Sequence, residues 1–197
     1  MKKWMPLAAV ALVSIASVAS FSAQALAKGL EVGQAAPAFT AKNQDGVERK
    51  LSDSQGKWVL LYFYPKDETP GCTKEACKIR DDYKQFTTAG VVVYGVSRQS
   101  ADSHRKFRDK HHLPFDLLVD DKGEIGDAYG IGSMPIVGGI FGLYKRQSVL
   151  IDPTGKVARF MDSVDPETHA AEVLETVKKS APVATSAPAA VTPAAAK

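Results

Sequence analysis

Cysteine is almost absent from this chain. Its 197 residues include two, Cys72 and Cys77. So few thiols exclude a disulfide-dense scaffold, and a chain of this length can bury a full core without one. Metal-ligand spacing is missing as well. None of the four histidines, His104, His111, His112 and His169, stands at such a spacing from either cysteine. A soft metal site needs at least a third ligand beside two thiolates, so no metal or other cofactor is expected. An excess of one charge is also lacking. The formal net charge is +3, and without Lys2 and Lys3 the 25 basic residues fall to 23 against 22 acidic ones. That balance gives no argument for nucleic acid or for an acidic membrane surface as partner. No internal repeat is visible.

The two ends differ from the middle. Lys2 and Lys3 precede an Ala/Val-rich apolar run from Leu7 to Phe21, and Ala25-Leu26-Ala27 fits a small-x-small cleavage pattern. Residues 1–27 therefore read as a signal peptide, with the mature chain exported, periplasmic in a bacterium, and free of the membrane after cleavage. The competing reading is an uncleaved anchor, since Trp4 to Ala27 carries no charge. Residues 181–197 are Ala, Pro, Thr and Ser with almost no bulky apolar side chain. They cannot bury enough surface to offset their ordering entropy and read as a disordered tail. The domain is expected over 28–180.

Within it, strand and helix patterns alternate. Ala38–Ala41 and Val47–Leu51 flank Asp45-Gly46 as a hairpin, and 52–56 reads as a loop. Lys57–Tyr64 and Val91–Ser97 are nearly continuous apolar runs, as buried strands should be. Ala76, Ile79, Tyr83 and Phe86 recur at helical steps, predicting one helix from Gly71 to Thr88 with Gly90 as its stop. A second helix is expected over Ser100–His111, a short strand over Phe115–Val119 and a short helix over Glu124–Tyr129. Gly132–Gly142 reads as a glycine-rich loop. A terminal hairpin, Gln147–Ile151 with Lys156–Asp162, precedes a helix opened by Asp165-Pro166. This order predicts a three-layer α/β sandwich with a thioredoxin-like sheet. Cys72 then sits in the first turn of a helix that follows a buried strand. Unpaired N–H groups and the positive end of the helix dipole favour a thiolate there. A structural disulfide remains the competing reading of the cysteine pair, although so short a loop constrains the unfolded chain little.

The string YFYPKDETPGCTKEAC resembles the Q-type peroxiredoxins, also called the bacterioferritin-comigratory group. Pro65-x-x-x-Thr69-x-x-Cys72 matches the peroxiredoxin active-site motif, and ADSHRKFRDKHHLPFDLLVDDKGEIGDAYGI and KRQSVLIDPTGKV extend the likeness over Leu30 to Lys178. The resemblance implies a peroxiredoxin fold and a thiol peroxidase acting on hydrogen peroxide and organic hydroperoxides. It makes Cys72 the peroxidatic cysteine and Cys77 the resolving one, joined in a disulfide that a thioredoxin-like donor reduces. It makes Thr69 a hydroxyl that holds thiolate and peroxide together, and Pro65 a shield against water. Arg146 becomes the guanidinium opposite the thiolate, with Lys145 as the neighbour that could be confused with it. Backbone N–H groups at Gly71 and Cys72 should face the peroxide. Read on spacing alone, Thr69 is an ordinary cap, Pro65 is strand punctuation and Arg146 is a solvated cation. Arg98 departs from the group's pattern and receives no role. A monomer is expected.

Two competing functions belong to other classes. A thioredoxin-like thiol–disulfide reductase would need Cys-x-x-Cys and a proline just before the strand at Gln147. Neither is present, and Pro135 is too far upstream. An exported copper-handling protein of similar fold would need a closer cysteine pair and a further ligand.

Overall fold

The computed structural model describes residues 30–134 and 142–180. The expected export signal and Ala/Pro tail, and most of the glycine-rich loop, lie outside the described residues. Among the described residues no helix is long and apolar enough to cross a membrane.

The strand Trp58–Phe63 organises the fold. Every one of its side chains is buried, which is why it reads as an unbroken apolar run. In chain order the strands are β1 Thr40–Lys42, β2 Glu48–Lys50, β3 Trp58–Phe63, β4 Val91–Ser97, β5 Asp116–Val119, β6 Gln147–Ile151 and β7 Val157–Met161. The helices are α1 Pro70–Asp81, α2 Tyr83–Thr88, α3 Ala101–His111, α4 Glu124–Ala128 and α5 His169–Ser180. Strands β3 to β7 form one mixed sheet in the order β5-β4-β3-β6-β7, with β3 at its centre. β3 runs parallel to β4 and antiparallel to β6, and β6 runs antiparallel to β7.

Alternation along β3 divides the core between two faces. Leu60, Tyr62 and Tyr64 pack with Ala76, Ile79, Phe86, Phe107 and Val173, under α1, α2, α3 and α5. Val59, Leu61 and Phe63 pack on the other face with Phe39, Ile125, Tyr129 and Tyr144. The small hairpin β1–β2 turns where Asn43 Oδ1 accepts from the N–H groups of Asp45 and Val47. Gly46 takes a φ of 78° there, which a glycine adopts without strain.

Three details depart from the sequence pattern. The helix expected over 71–88 is two, because the chain bends at Asp82, whose N–H reaches back to Lys78 and Arg80 while its own carbonyl starts α2. Leu51–Ser54 is a 3-10 turn rather than loop. Asp165-Pro166 opens a separate turn, with Asp165 Oδ1 accepting from the Glu167 N–H, and α5 itself begins at His169.

Candidate active site

The sheet delivers the chain to the site. Tyr64 makes the last ladder bond of its strand, donating its N–H to Val96, and Pro65 has no N–H to continue. The loop 65–69 is then pinned to α3 from within. Asp67 is buried, and its carboxylate accepts from Tyr64 Oη at 2.8 Å and from Ser103 Oγ at 2.6 Å, and lies 2.9 Å from His104 Nδ1. His104 Nε2 faces the Leu118 carbonyl at 3.2 Å. Burial works against the Asp67 carboxylate, but hydrogen bonds from His104, Ser103 and Tyr64 outweigh it and hold its pKa below the usual carboxylate range. Next to it, Glu68 takes a left-handed φ of 61° and pairs with Lys110.

Thr69 is the N-cap by position, but its hydroxyl donates to the Lys66 carbonyl at 2.9 Å and caps no helix N–H. Pro70 opens α1 and Cys72 follows in the first turn, 1% exposed. The first helical bond runs from the Thr73 N–H to the Thr69 carbonyl, so the Gly71 and Cys72 N–H groups have no acceptor within the helix.

Arg146 arrives from the opposite side. Gln147 pairs with Phe63 across β3 and β6, which sets Arg146 beside the end of the strand that leads to the cysteine. Its Nη2 lies 3.3 Å from Cys72 Sγ. Lys145 is exposed and lies over Gly132 instead. A methyl group on Gly71 would stand 3.0 Å from Arg146 Nη2, so a side chain there would crowd the guanidinium.

Two residues that sequence reasoning missed complete the constellation. Glu75 sits three residues after Cys72 on the same face of α1, fully buried, and its Oε2 accepts from Arg146 Nη1. His169, the first residue of α5, is 1% exposed, and its Nδ1 lies 2.9 Å from Glu75 Oε1. The imidazole is turned so that this contact is not an aligned hydrogen bond, and Glu75 Oε1, His169 Nδ1 and His169 Nε2 have no other partner. Burial opposes the charge of Arg146, yet Glu75 and Cys72 beside it raise its pKa above the ordinary guanidinium value. Burial, followed by the neighbouring Glu75, Asp67 and Cys72 side chains, pushes the Tyr62 phenol well up, so it stays protonated.

Cys77 is half-buried farther along α1, and both cysteines are free thiols. Among the described residues no group of three or more His, Cys, Asp or Glu side chains is placed to hold a metal ion.

A buried thiol at a helix N-terminus under a guanidinium is a site for nucleophilic attack with charge moving onto a leaving oxygen. The comparisons with known proteins agree with that chemistry. Residues 32–160 match the AhpC/TSA family. Peroxiredoxin Bcp of Bacillus subtilis is 42% identical over 150 residues, covering 76% of this chain and 96% of the relative. The chain belongs to the peroxiredoxin Q/Bcp subfamily of the AhpC/TSA family. Chloroplastic peroxiredoxin Q of Populus jackii is likewise 42% identical, over 83% of this chain and 75% of its own. Among solved structures, a cysteine-to-serine mutant of PrxQ from Xylella fastidiosa matches with a TM-score of 0.72 and 29% identity, over 79% of this chain and 99% of that one. Peroxiredoxin Q of Xanthomonas campestris matches at 0.69 and 32%, over 78% and 98%.

This peroxiredoxin is therefore a thiol-dependent peroxidase with a thioredoxin-like fold, taking a hydroperoxide as substrate and a thiol as reductant. The reductase and copper-handling readings are not favoured. Glu75 was legible only as its spacing from Cys72, since an acidic residue within a helix ordinarily faces solvent. His169 carried no signal.

Proposed function

We propose that Cys72 is the peroxidatic cysteine and Cys77 the resolving one. The Cys72 thiolate attacks the terminal oxygen of hydrogen peroxide or an organic hydroperoxide, the O–O bond breaks, and the leaving oxygen takes a proton to depart as water or alcohol. Sulfur keeps one oxygen as sulfenic acid. The Cys77 thiol then displaces that oxygen as water and forms a disulfide with Cys72. Two thiol equivalents from a thioredoxin-like donor reduce it and leave as their own disulfide. The observation that carries this reading is the 3.3 Å contact between Arg146 Nη2 and Cys72 Sγ in the first turn of α1. Arg146 and the Gly71 and Cys72 N–H groups meet charge developing on the peroxide oxygens. The proton of Thr69 is directed to Lys66, which leaves the lone pairs of its oxygen to accept from the peroxide O–H. Pro65 offers no N–H to water at the loop's start.

The same geometry requires motion. Both cysteines lie in the unbroken helix α1, and residues five apart in an α-helix have Cα atoms about 8–9 Å apart on different faces. A disulfide needs them within about 7 Å. The early turns of α1 therefore unwind after Cys72 is oxidised, and the helical form is the one that reacts with peroxide.

The chain works as an exported protein, released after Ala27 and monomeric, with an exported thioredoxin-like protein as donor. The basic start, apolar run and small-x-small pattern support export. Activity is tested by peroxide consumption of Cys72→Ser, which should be abolished because a hydroxyl is not appreciably ionised near neutral pH. Consumption at the parent rate would refute the assignment.

A further inference from the structure

We infer that His169 is a positioning residue for the peroxide step, acting through Glu75 to hold Arg146 against Cys72 and to favour the helical form of α1. The inference rests on the roles proposed above for Cys72 and Cys77.

Glu75 is fully buried and its two oxygens are divided. Oε2 takes Arg146 Nη1, and Oε1 faces His169 Nδ1 at 2.9 Å. An unpartnered buried carboxylate oxygen is costly, so without His169 the carboxylate gains by turning both oxygens toward Arg146. The guanidinium would then be drawn from Cys72, where only Nη2 now reaches Sγ. His169 can do this because its place is fixed independently. It is the first residue of α5, its ring meets Tyr62 edge-on at 6.5 Å, and neighbouring Ala170 and Val173 are core residues. His169 therefore holds Nδ1 2.9 Å from Glu75 Oε1 from an element other than α1.

The second consequence concerns the unwinding. Cys72 and Glu75 both ride on the part of α1 that opens, whereas Arg146 and His169 do not. The contacts of Glu75 with these two residues exist only while the helix is wound. They stabilise the peroxide-reactive form and oppose the form that makes the disulfide. Weakening them by replacing His169 should act on the two steps in opposite directions. The peroxide step slows because Arg146 loses its position, and disulfide formation speeds up because α1 opens more readily. A residue that merely supports the fold would not separate the steps in this way.

Rapid acid quench, thiol alkylation and intact mass give both rates after a one-equivalent pulse of hydrogen peroxide. His169→Leu should slow loss of the Cys72 thiol by about ten-fold and speed disulfide formation several-fold, the expected scale for one lost polar contact in a buried site. His169→Gln, whose amide can donate to Glu75, should stay within about two-fold of the parent in both steps. Leu174→Ala, a core truncation elsewhere on α5, should lower stability and leave both steps unchanged. If the Leu variant does not fold, His169→Phe keeps a ring against Tyr62 and carries the same expectation. Unchanged rates in the apolar variant, equal slowing of both steps, or a Gln variant as impaired as the Leu variant would overturn the inference. A parent protein that consumes peroxide without forming the disulfide would instead overturn the role given to Cys77.

Discussion

Replacing Arg146 by alanine should cost this peroxidase more than the loss of one hydrogen bond. The Nη2 contact with Cys72 Sγ is charge-assisted, worth about 1.5–3 kcal/mol when the partner is ionised, or roughly 10- to 150-fold in rate if it is fully expressed in the transition state. The variant also strands Glu75. That carboxylate is fully buried one helical turn from the thiol, and without Arg146 its charge opposes the thiolate, for roughly another ten-fold. The sum is on the order of 10²- to 10³-fold in the peroxide step, with the pH–rate profile moved to the alkaline side. Adding Glu75→Gln to Arg146→Ala removes the stranded charge and should recover about the last ten-fold, a coupling that a double-mutant cycle reads directly. Lys145→Ala, at the exposed neighbour, should change the rate by less than two-fold. Arg146→Lys should recover little, because one ammonium cannot reach sulfur and Glu75 with the fork of a guanidinium. Stopped-flow peroxide reduction under excess peroxide, from pH 5 to 9, supplies all the rates. Equal effects of Arg146→Ala and Lys145→Ala, or a double variant no faster than Arg146→Ala, would refute the reasoning.

Two further outcomes follow from the same geometry. The disulfide form should lose helix and show faster amide exchange over 72–82, with β3 and β4 unchanged. Equal protection in both forms, with the bond shown intact by mass, would remove the unwinding. Asp67→Asn should destabilise the protein by about 2 kcal/mol at neutral pH, since its hydrogen bonds are made to a carboxylate. Because the folded carboxyl has a lowered pKa, this stability is fully present above the unfolded value near pH 4 and is lost as pH falls through the lower folded value. Urea unfolding should therefore show parent and variant converging in acid, and a gap that widens below pH 4 would contradict the assignment.

How legible each part was depends on where its partner lies. β3 could be read from sequence because a central strand buried on both faces has no reason to alternate. Cys72 could be placed because strand, Pro65, turn and helix follow one another in the chain. The bend at Asp82 could not be read, because Tyr83 and Phe86 keep the helical spacing across it. Glu75 and His169 are 94 positions apart in number and meet only where α5 returns across α1. Asp67 and His104 are likewise joined only by the packing of α3 on the loop. Spacing weighs His104 only as a metal ligand, whereas its partner in the fold is a buried carboxylate. Charged residues whose partners come from a distant element look like surface residues in a linear reading.

The most direct test of the account is peptide mapping after one equivalent of peroxide. In the parent it should find a single disulfide joining Cys72 to Cys77 and no free thiol. In Cys77→Ser, trapping should find one oxygen on Cys72, passing to sulfinic acid with further peroxide. Two surviving thiols in the parent, or oxygen carried by any residue other than Cys72 in the variant, would contradict it.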